Sequence, residues 1–178
     1  MYAGVVITST DLKLRPLRIA DEEPFRAAHR AMISEGFDFG WGLEEGTQWS
    51  KYLERLADQR VGTGLPPGIV PATFLVADVA GCIVGRTSIR HTLNDHLARV
   101  GGHIGYGVLA QYRRRGHATE ILRQSVIIAR SVGVGRVLVT CDDDNVGSAA
   151  VIHANGGRLD NVVETEPGQP PKRRYWID

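Results

Sequence analysis

A strand, a basic turn and a helix are predicted to follow one another directly in the middle of the chain. The apolar-rich run 101–109 predicts a strand, and the turn at 113–116 contains three arginines and a glycine. From Ala118 to Ala129, apolar residues recur at helical spacing, which predicts a helix that ends near Gly133. Because a strand and a helix joined in this way bury their apolar faces against each other, the unit predicts a layered fold.

The remaining segments predict the same alternation of strands and helices, with hairpins near both ends of the sheet. Strands are predicted where apolar residues alternate or run together, at 12–18, 73–79, 83–91, 136–141, 159–163 and 174–177. Helices are predicted where apolar residues recur on one helical face, between Asp21 and Gly36, between Thr47 and Gly62, and over 145–155. These elements together predict a mixed α/β sandwich.

The composition limits the class of protein. The chain has 178 residues, with 21 Lys and Arg against 20 Asp and Glu, and a net charge of +1. A chain of this length can bury its own core, so we expect a single domain over 1–178. Because the charge is balanced, neither a nucleic-acid partner nor a polybasic membrane anchor is expected.

Several sequence features concern the location of the protein. No apolar stretch approaches the roughly 20 residues that a membrane-spanning helix needs, and residues 1–4 lack the pattern of a signal peptide. The only two cysteines, Cys82 and Cys141, are typical of a protein in a reducing compartment. We therefore expect a cytoplasmic protein. The six histidines show no metal-ligand spacing, so no metal site is expected.

The basic turn and the helix start suit an anion such as a pyrophosphate. Unpaired backbone N–H groups and the positive end of the helix dipole attract anions to a helix N-terminus. Gly116 allows a ligand to approach the backbone, Ala118 leaves room at the first turn, and three arginines add positive charge. The alternative is that these arginines form a solvated surface patch.

Three other patterns fit their ligands poorly. The glycine spacing at 105–110 matches a dinucleotide-binding motif, but the turn into the helix follows only after six more residues and no acidic residue occurs at 126–130. The run 142–147 begins like a calcium loop but carries Val146 at a ligand position. Cys141 has no evident partner for nucleophilic catalysis, so packing is its predicted role.

At the basic turn the sequence resembles the GNAT superfamily of acetyl-coenzyme A-dependent N-acyltransferases. Arg113-x-x-Gly116-x-Ala118 fits the family signature Q/R-x-x-G-x-G/A, and the order of predicted elements from residue 12 to residue 178 is similar. More narrowly, the segments 101–106 and 174–177 resemble a subgroup of predicted acetyltransferases without an assigned substrate. The resemblance implies a mixed, mainly antiparallel central sheet of about six to seven strands, flanked by about four helices.

The resemblance also implies a cofactor, acetyl-CoA. In such proteins the backbone near Val108 bonds the pantetheine arm, and N–H groups of the turn hold the pyrophosphate. The residues assigned in this way to coenzyme binding are Val108, Leu109, Ala110, Arg113, Arg114, Arg115, Gly116, His117, Ala118, Thr119, Asn145 and Ser148. If strands 101–109 and 136–141 are parallel, they can splay at their carboxyl ends and admit the arm. Capping of the last helix is the alternative role for Asn145 and Ser148.

The implied reaction is direct transfer of an acetyl group from the thioester to a primary amine. The amine must lose a proton, and the developing oxyanion needs donors such as the N–H groups of Val108 or Leu109. Many family members carry a glutamate on the motif strand, and this chain has His103 there, which is the predicted base. His91 is the second candidate, with lining of the acceptor pocket as its alternative role. A structural hydrogen bond is the alternative role for His103.

One position departs from the family. The tyrosine that commonly serves as general acid falls seven residues after Asn145, where this chain has Ile152. The leaving thiolate would then take its proton from Ser148, His153, Tyr175 or solvent. Because a thiol has a pKa of about 8.5, the thiolate is a good leaving group even without a dedicated acid. The predicted catalytic residues are therefore His103, His91 and Ser148.

The acceptor is expected to be a small-molecule or peptide amine, with a protein lysine also open. The loop at 37–42 and the two N-terminal helices are predicted to form the acceptor wall, where Asp38, Glu44 and Glu45 could attract a cationic amine or could simply be solvated. A homodimer through the C-terminal strands is a further expectation. The competing function is a non-catalytic module that binds or senses acyl-CoA.

Overall fold

Strands and helices alternate along residues 11–178, which are the residues that the computed structural model describes. The strands are β1 (Lys13–Arg15), β2 (Ala72–Val79), β3 (Cys82–Arg90), β4 (Ile104–Val108), β5 (Val137–Asp142), β6 (Arg158–Val163) and β7 (Lys172–Ile177). The α-helices are α1 (Glu22–Ile33), α2 (Trp49–Val61), α3 (His117–Ser131) and α4 (Val146–Ala154).

The seven strands form one sheet in the order β1-β2-β3-β4-β5-β7-β6. Neighbouring strands run antiparallel except β4 and β5, which run parallel. The predicted mixed, mainly antiparallel sheet flanked by about four helices is therefore confirmed, as are the β2–β3 hairpin and the closing β6–β7 hairpin. The crossover from β4 to β5 contains α3, so the helix that follows the basic turn links the two parallel strands.

Two predicted strands are longer than the observed ones. The first strand covers only Lys13–Arg15 instead of 12–18, since Pro16 has no N–H to donate to a neighbouring strand. The strand predicted at 101–109 begins only at Ile104. A π-helical turn over Leu97–Gly101 and a left-handed φ of 66° at Gly102 occupy the preceding residues, and neither conformation can continue a strand.

Helices pack on both faces of the sheet. Alternate residues of a strand point to opposite faces, and β2 follows this rule: Phe74 and Val76 belong to the apolar cluster that contains α1 and α2 side chains. Leu75 belongs instead to the cluster that contains Leu122 of α3 and Ile152 of α4. Where β4 meets β5, in the middle of the sheet, α3 and α4 therefore lie on one face and α1 and α2 on the other.

The described residues include no helix that is both long and apolar enough to cross a membrane. Residues 1–4, for which the sequence predicts no signal peptide, lie outside the described part of the chain.

Candidate functional site

The strands β4 and β5 pair at one point and then diverge. Their only bridge joins Ile104 to Val139, and just before it the His103 N–H donates to the Leu138 carbonyl oxygen at 2.7 Å. Beyond this bridge β4 continues along β3, and β5 continues along β7. We call the opening between β4 and β5 the splay and its closed end the vertex. The expected parallel pairing is confirmed, and the opening lies toward the carboxyl ends of both strands.

The backbone of β4 presents peptide groups to the splay. The Leu109 N–H donates to the Val84 oxygen on the β3 side at 3.0 Å. In an antiparallel pair, successive residues direct their N–H and C=O groups alternately toward and away from the partner strand. The peptide groups of Val108 and Tyr106 therefore face the splay. Of the two N–H groups predicted to stabilise an oxyanion, that of Val108 is directed toward the splay, whereas that of Leu109 is already bonded.

The basic turn is held by one arginine, and its backbone is left open. The Arg113 Nε donates to the Val108 oxygen at 3.0 Å, and its Nη2 pairs with Glu35 Oε2 at 2.5 Å. The Arg113 side chain thus ties the turn to β4 and to the end of α1 instead of extending toward a ligand. Arg114 and Gly116 both have left-handed φ values, 61° and 79°. Residues 113–116 form a turn, and a turn that directs successive N–H groups inward can form an anion-binding nest.

The first turn of α3 supplies unpaired donors to the same place. Gly116 is the N-cap residue and no side chain caps the helix. The first backbone bond back into this turn runs from the Glu120 N–H to the Gly116 oxygen, so the N–H groups of His117, Ala118 and Thr119 have no partner within the helix. These residues fit an anion such as a pyrophosphate, with the exposed Arg114 and Arg115 side chains beside it.

The His117 side chain does not extend to the surface of this turn. It is 1% exposed, and within residues 11–178 neither ring nitrogen has a hydrogen-bond partner. Burial and the charge of Arg115 lower the pKa of His117 below its usual value. The ring is therefore neutral at pH 7, and the backbone N–H is the group that this residue offers to an anion. Ala110 is exposed at the start of the short 3₁₀ turn that leads to Arg113.

A tyrosine that the sequence analysis did not single out reaches from β4 to α4. The Tyr106 hydroxyl lies 2.8 Å from Ser148 Oγ, and burial raises the pKa of Tyr106 to about 12. Burial raises the pKa of the nearby Cys141 thiol. Asn145 has the alternative role of a helix cap, because its Oδ1 accepts the Ser148 N–H at 2.9 Å. The structure thus brings Ser148 to the splay together with Tyr106.

The other predicted proton sources lie elsewhere. Ile152, at the position of the family tyrosine, is fully buried in the core. The His153 Nδ1 lies 3.1 Å from the Gly157 oxygen, and its ring packs edge-on against Tyr175 at 5.0 Å between centroids. Tyr175 is 1% exposed. Of the three side chains predicted to reprotonate the thiolate, Ser148 is therefore the one that contacts β4 across the splay.

His103 lies at the vertex, with a structural hydrogen bond. The Leu138 N–H donates to its Nδ1 at 2.9 Å, and the residue is 8% exposed. Burial, aided by the charge of Arg90, lowers the pKa of His103. A neutral ring that accepts at Nδ1 carries its proton on Nε2, so neither nitrogen is free to take a proton while the bond to Leu138 lasts. This geometry supports the structural alternative for His103.

His91 follows the end of β3, and its contacts are on the β2 side of that strand, away from the splay. Its Nε2 is 2.9 Å from Thr73 Oγ1 on β2, and its N–H donates to the Pro71 oxygen at 2.8 Å. Burial and the charge of Arg60 lower the pKa of His91. Because β3 and β4 stand between these contacts and the splay, the structure does not bring His91 together with Ser148.

The α1–α2 loop covers β4 on the opposite face from α3. A Cβ at Gly107 would lie 2.7 Å from the Phe37 ring, so the ring rests directly on the strand. The acidic residues predicted to attract an amine are separated. Asp38 lines a cavity of about 760 Å³ beside α2, whereas Glu44 and Glu45 line one of about 570 Å³ beside α1.

No cluster of His, Cys, Asp or Glu that could hold a metal ion occurs within residues 11–178.

The chain is similar to proteins of a known family. A family model described as an acetyltransferase (GNAT) domain matches residues 11–158. No curated protein matches the chain.

Several solved structures share the fold. RimJ from Mycobacterium smegmatis, in complex with CoA-disulfide, is 21% identical with a TM-score of 0.65, over 93% of this chain and 81% of that one. An acetyltransferase from Agrobacterium tumefaciens is 21% identical with a TM-score of 0.63, over 98% and 96%. The microcin C7 self-immunity acetyltransferase MccE, in complex with acetyl-CoA and AMP, is 18% identical with a TM-score of 0.64, over 94% and 92%. At these identities the similarity concerns the fold alone.

Proposed function

The chain belongs to the GNAT acetyltransferase family, and from this premise we propose that it transfers an acetyl group from acetyl-CoA to a primary amine of a small-molecule or peptide acceptor. The observation that carries the proposal is the combination of two neighbouring features, one on β4 and one in the turn that follows this strand. Peptide groups of β4, among them the Val108 N–H, face the splay, and the turn that follows ends in an uncapped helix N-terminus.

The residues present fit the coenzyme. Turn N–H groups from Arg114 to Thr119 would hold the pyrophosphate, with Arg115 adding positive charge at the rim. The Tyr106 peptide groups would bond the pantetheine arm as a neighbouring strand would, whereas the Val108 oxygen is held by Arg113. Gly116, in its left-handed conformation, keeps this approach free of a side chain. Acetyl-CoA, when bound, would supply an acetyl thioester whose acyl carbon forms a bond to the amine nitrogen as the C–S bond breaks, and the CoA thiolate would take its proton from solvent.

The residues of the splay then have separate roles. The Val108 N–H is directed to where it can donate to an acyl oxygen. Tyr106 stays protonated at neutral pH because its pKa is raised to about 12, so its hydroxyl acts as a hydrogen-bond donor in the splay, with Ser148 as its partner. The proton released by the amine passes to water, or to His103 if its bond to Leu138 opens.

Binding and transfer are tested separately. We expect acetyl-CoA and desulfo-CoA to bind with micromolar affinity in a calorimetric titration and NAD not to bind. A panel of primary amines, with release of the CoA thiol as readout, then tests transfer. Absence of coenzyme binding would show that the turn at 113–118 is only a charged surface, and the proposed function would fail.

A non-catalytic module that binds acyl-CoA is the second candidate. Two observations favour it. Ile152 lies in the core at the position of the family acid. In addition, His103 has no free nitrogen lone pair, because its Nδ1 accepts the Leu138 N–H and its Nε2 carries the proton. Such a protein would bind acetyl-CoA with the same affinity yet release no thiol beyond the acceptor-free rate. The amine panel therefore separates the two candidates.

Replacing Tyr106 with phenylalanine tests the donor in the splay. The variant loses the hydroxyl that bonds Ser148. We expect kcat to fall about tenfold, as for the loss of one hydrogen bond to a group that gains charge, and no more, because the thiolate is a good leaving group. The dissociation constant of acetyl-CoA should not change. Tyr112→Phe is the matched control, because no hydrogen bond involves its hydroxyl within residues 11–178. Unchanged kcat in the Tyr106 variant would remove this residue from the reaction.

Replacing His103 with leucine, which has no hydrogen-bond acceptor in its side chain, separates its two interpretations. A structural role predicts a free energy of unfolding lower by about 1–3 kcal/mol, because the buried Leu138 N–H loses its acceptor, and a kcat that keeps its pH dependence between pH 6 and 9. A catalytic base predicts a fall in kcat of roughly 100-fold or more. Denaturant unfolding and the pH profile of kcat, measured on the same variant, decide between them.

A further inference from the structure

Two arginine side chains of β3 converge on the face of β4 that the α1–α2 loop covers, which we call the acceptor face. Arg86 and Arg90 lie four residues apart and therefore point to the same face of the sheet. The Arg86 Nη1 donates to the Gly105 oxygen at 3.1 Å, and a Cβ at Gly105 would lie 3.1 Å from the Arg90 Nη1. This face is the one that the Phe37 ring covers farther along β4.

These two charges have no carboxylate partner within residues 11–178. Arg86 donates only to carbonyl oxygens, those of Asp38, Phe39 and Gly105, at 2.7 to 3.1 Å. Its guanidinium also lies 4.5 Å from the centroid of the Phe37 ring. Burial, together with the charge of Arg90, lowers the pKa of Arg86 to about 10, and the charge of Asp38 opposes part of this shift. Among the described residues no carboxylate forms a salt bridge with either guanidinium, and a buried charge without such a pair is costly, so this face favours an anion.

Arg90 has donors to spare. Its Nη1 points to the Gly101 and Gly102 oxygens at 3.3 and 3.5 Å, and its Nε and Nη2 have no hydrogen-bond partner among the described residues. The side chain is partly exposed, as is Gly105 beneath it. A planar guanidinium with two unused donors matches the two oxygens of a carboxylate. Arg86 hydrogen-bonds the Asp38 and Phe39 oxygens. Because it lies beside the same glycine as Arg90, it adds positive charge to the site.

We propose that Arg90, supported by Arg86, binds a carboxylate group of the acceptor, so that the substrates of this protein are amines that also carry a carboxylate, such as amino acids. This inference about the substrate class rests on the proposed function. The anion site itself is a property of this face of the sheet and can be measured without coenzyme or turnover.

The first test measures anion binding directly. The Nε–Hε resonance of Arg90 is identified by its loss in Arg90→Gln, and the protein is titrated with acetate and with acetamide, its neutral counterpart. We expect a saturable shift of this resonance with acetate and none with acetamide. Arg99, which is exposed and donates to the Glu164 oxygen, is the control for nonspecific effects of salt. An Arg90 shift no larger than that of Arg99 overturns the proposal.

The second test compares acceptors in pairs. Free L-amino acids and their carboxamides are assayed with acetyl-CoA at equal concentrations of unprotonated amine. We expect kcat/KM to favour the acid by about tenfold or more, as for a hydrogen bond to a charged group, and Arg90→Gln to abolish this preference. Arg99→Gln should retain it. Equal rates for acids and amides in the native protein contradict the proposal.

The two proposals fail in different ways. If acetate shifts the Arg90 resonance but acetyl-CoA does not bind, the anion site stands and the proposed function fails. If acetyl-CoA binds and amides are acetylated as fast as acids, the proposed function stands and the inference about carboxylate-bearing substrates is wrong.

Discussion

Replacing Gly116 with glutamate is expected to raise the dissociation constant of acetyl-CoA by about 100-fold or more, equivalent to roughly 2.7 kcal/mol. The new carboxylate would lie at the N-cap of α3, among the N–H groups that are proposed to hold the pyrophosphate. Its negative charge repels the phosphates, and its bulk fills the space that the absent side chain leaves open. Calorimetric titration with acetyl-CoA measures the effect.

Gly116→Ala is the control that separates charge from backbone strain. Gly116 has a left-handed φ of 79°, so either side chain costs the fold about 1–2 kcal/mol. Both variants should therefore melt at similar temperatures. We expect the alanine variant to keep most of its affinity for acetyl-CoA. Binding by the glutamate variant within threefold of the native protein would contradict the placement of the pyrophosphate at this turn.

The architecture of the site could be predicted from the sequence because it depends on short-range patterns. The run 101–109, the basic turn and the helix that ends near Gly133 are adjacent in the chain, and a helix between two apolar strands commonly joins them in parallel. A family signature at Arg113, Gly116 and Ala118 then indicated the splay and the anion site. The left-handed Arg114 was not predicted, because no local pattern marks an arginine for that conformation.

The contacts inside the splay could not be predicted in the same way. The bond between Tyr106 and Ser148 depends on how far β4 and β5 diverge. The bond from Leu138 to His103 depends on their register at the vertex. Residue type alone made His103 a candidate base, but a histidine acts as a base only if a nitrogen lone pair is free. That condition is set by a residue 35 positions away in the chain.

The arginines of the acceptor face were missed for a related reason. In the sequence, Arg86 stands between Gly85 and Thr87 in β3, a context that is typical of a solvent-facing strand position. It is buried because the α1–α2 loop folds over it, and its bonds to Asp38 and Phe39 span more than 45 residues. Such burial follows from loop packing, which leaves no periodic signal in the strand.

Replacing Gly102 with alanine is expected to destabilise the fold by about 3 kcal/mol or more, from backbone strain and steric overlap together. Gly102 combines a φ of 66° with a ψ of −178°, a region that is essentially restricted to glycine. A Cβ there would lie 2.7 Å from the Leu138 backbone oxygen. Because backbone of β5 cannot move aside as a flexible side chain can, the vertex itself must shift.

The control for this variant is Gly64→Ala. Gly64 has a nearly equal φ of 62°, but a Cβ at this position would meet no atom of residues 11–178 within 4 Å. The control variant therefore shows the strain of a left-handed residue without the overlap. For a protein of this length, 1 kcal/mol corresponds to about 2–4 °C in Tm. We expect Gly102→Ala to lower Tm by about 6–12 °C and Gly64→Ala by less than half as much.

The Gly102 variant also connects stability with function. Moving the vertex alters the separation of β4 and β5, and with it the positions of the Val108 N–H and the Tyr106 peptide groups that are proposed to bond the coenzyme. Below its Tm, the variant should bind acetyl-CoA more weakly than the native protein, whereas Gly64→Ala should bind it equally well. Equal affinity in all three proteins would mean that the coenzyme is held by the turn at 113–118 alone, independently of the splay.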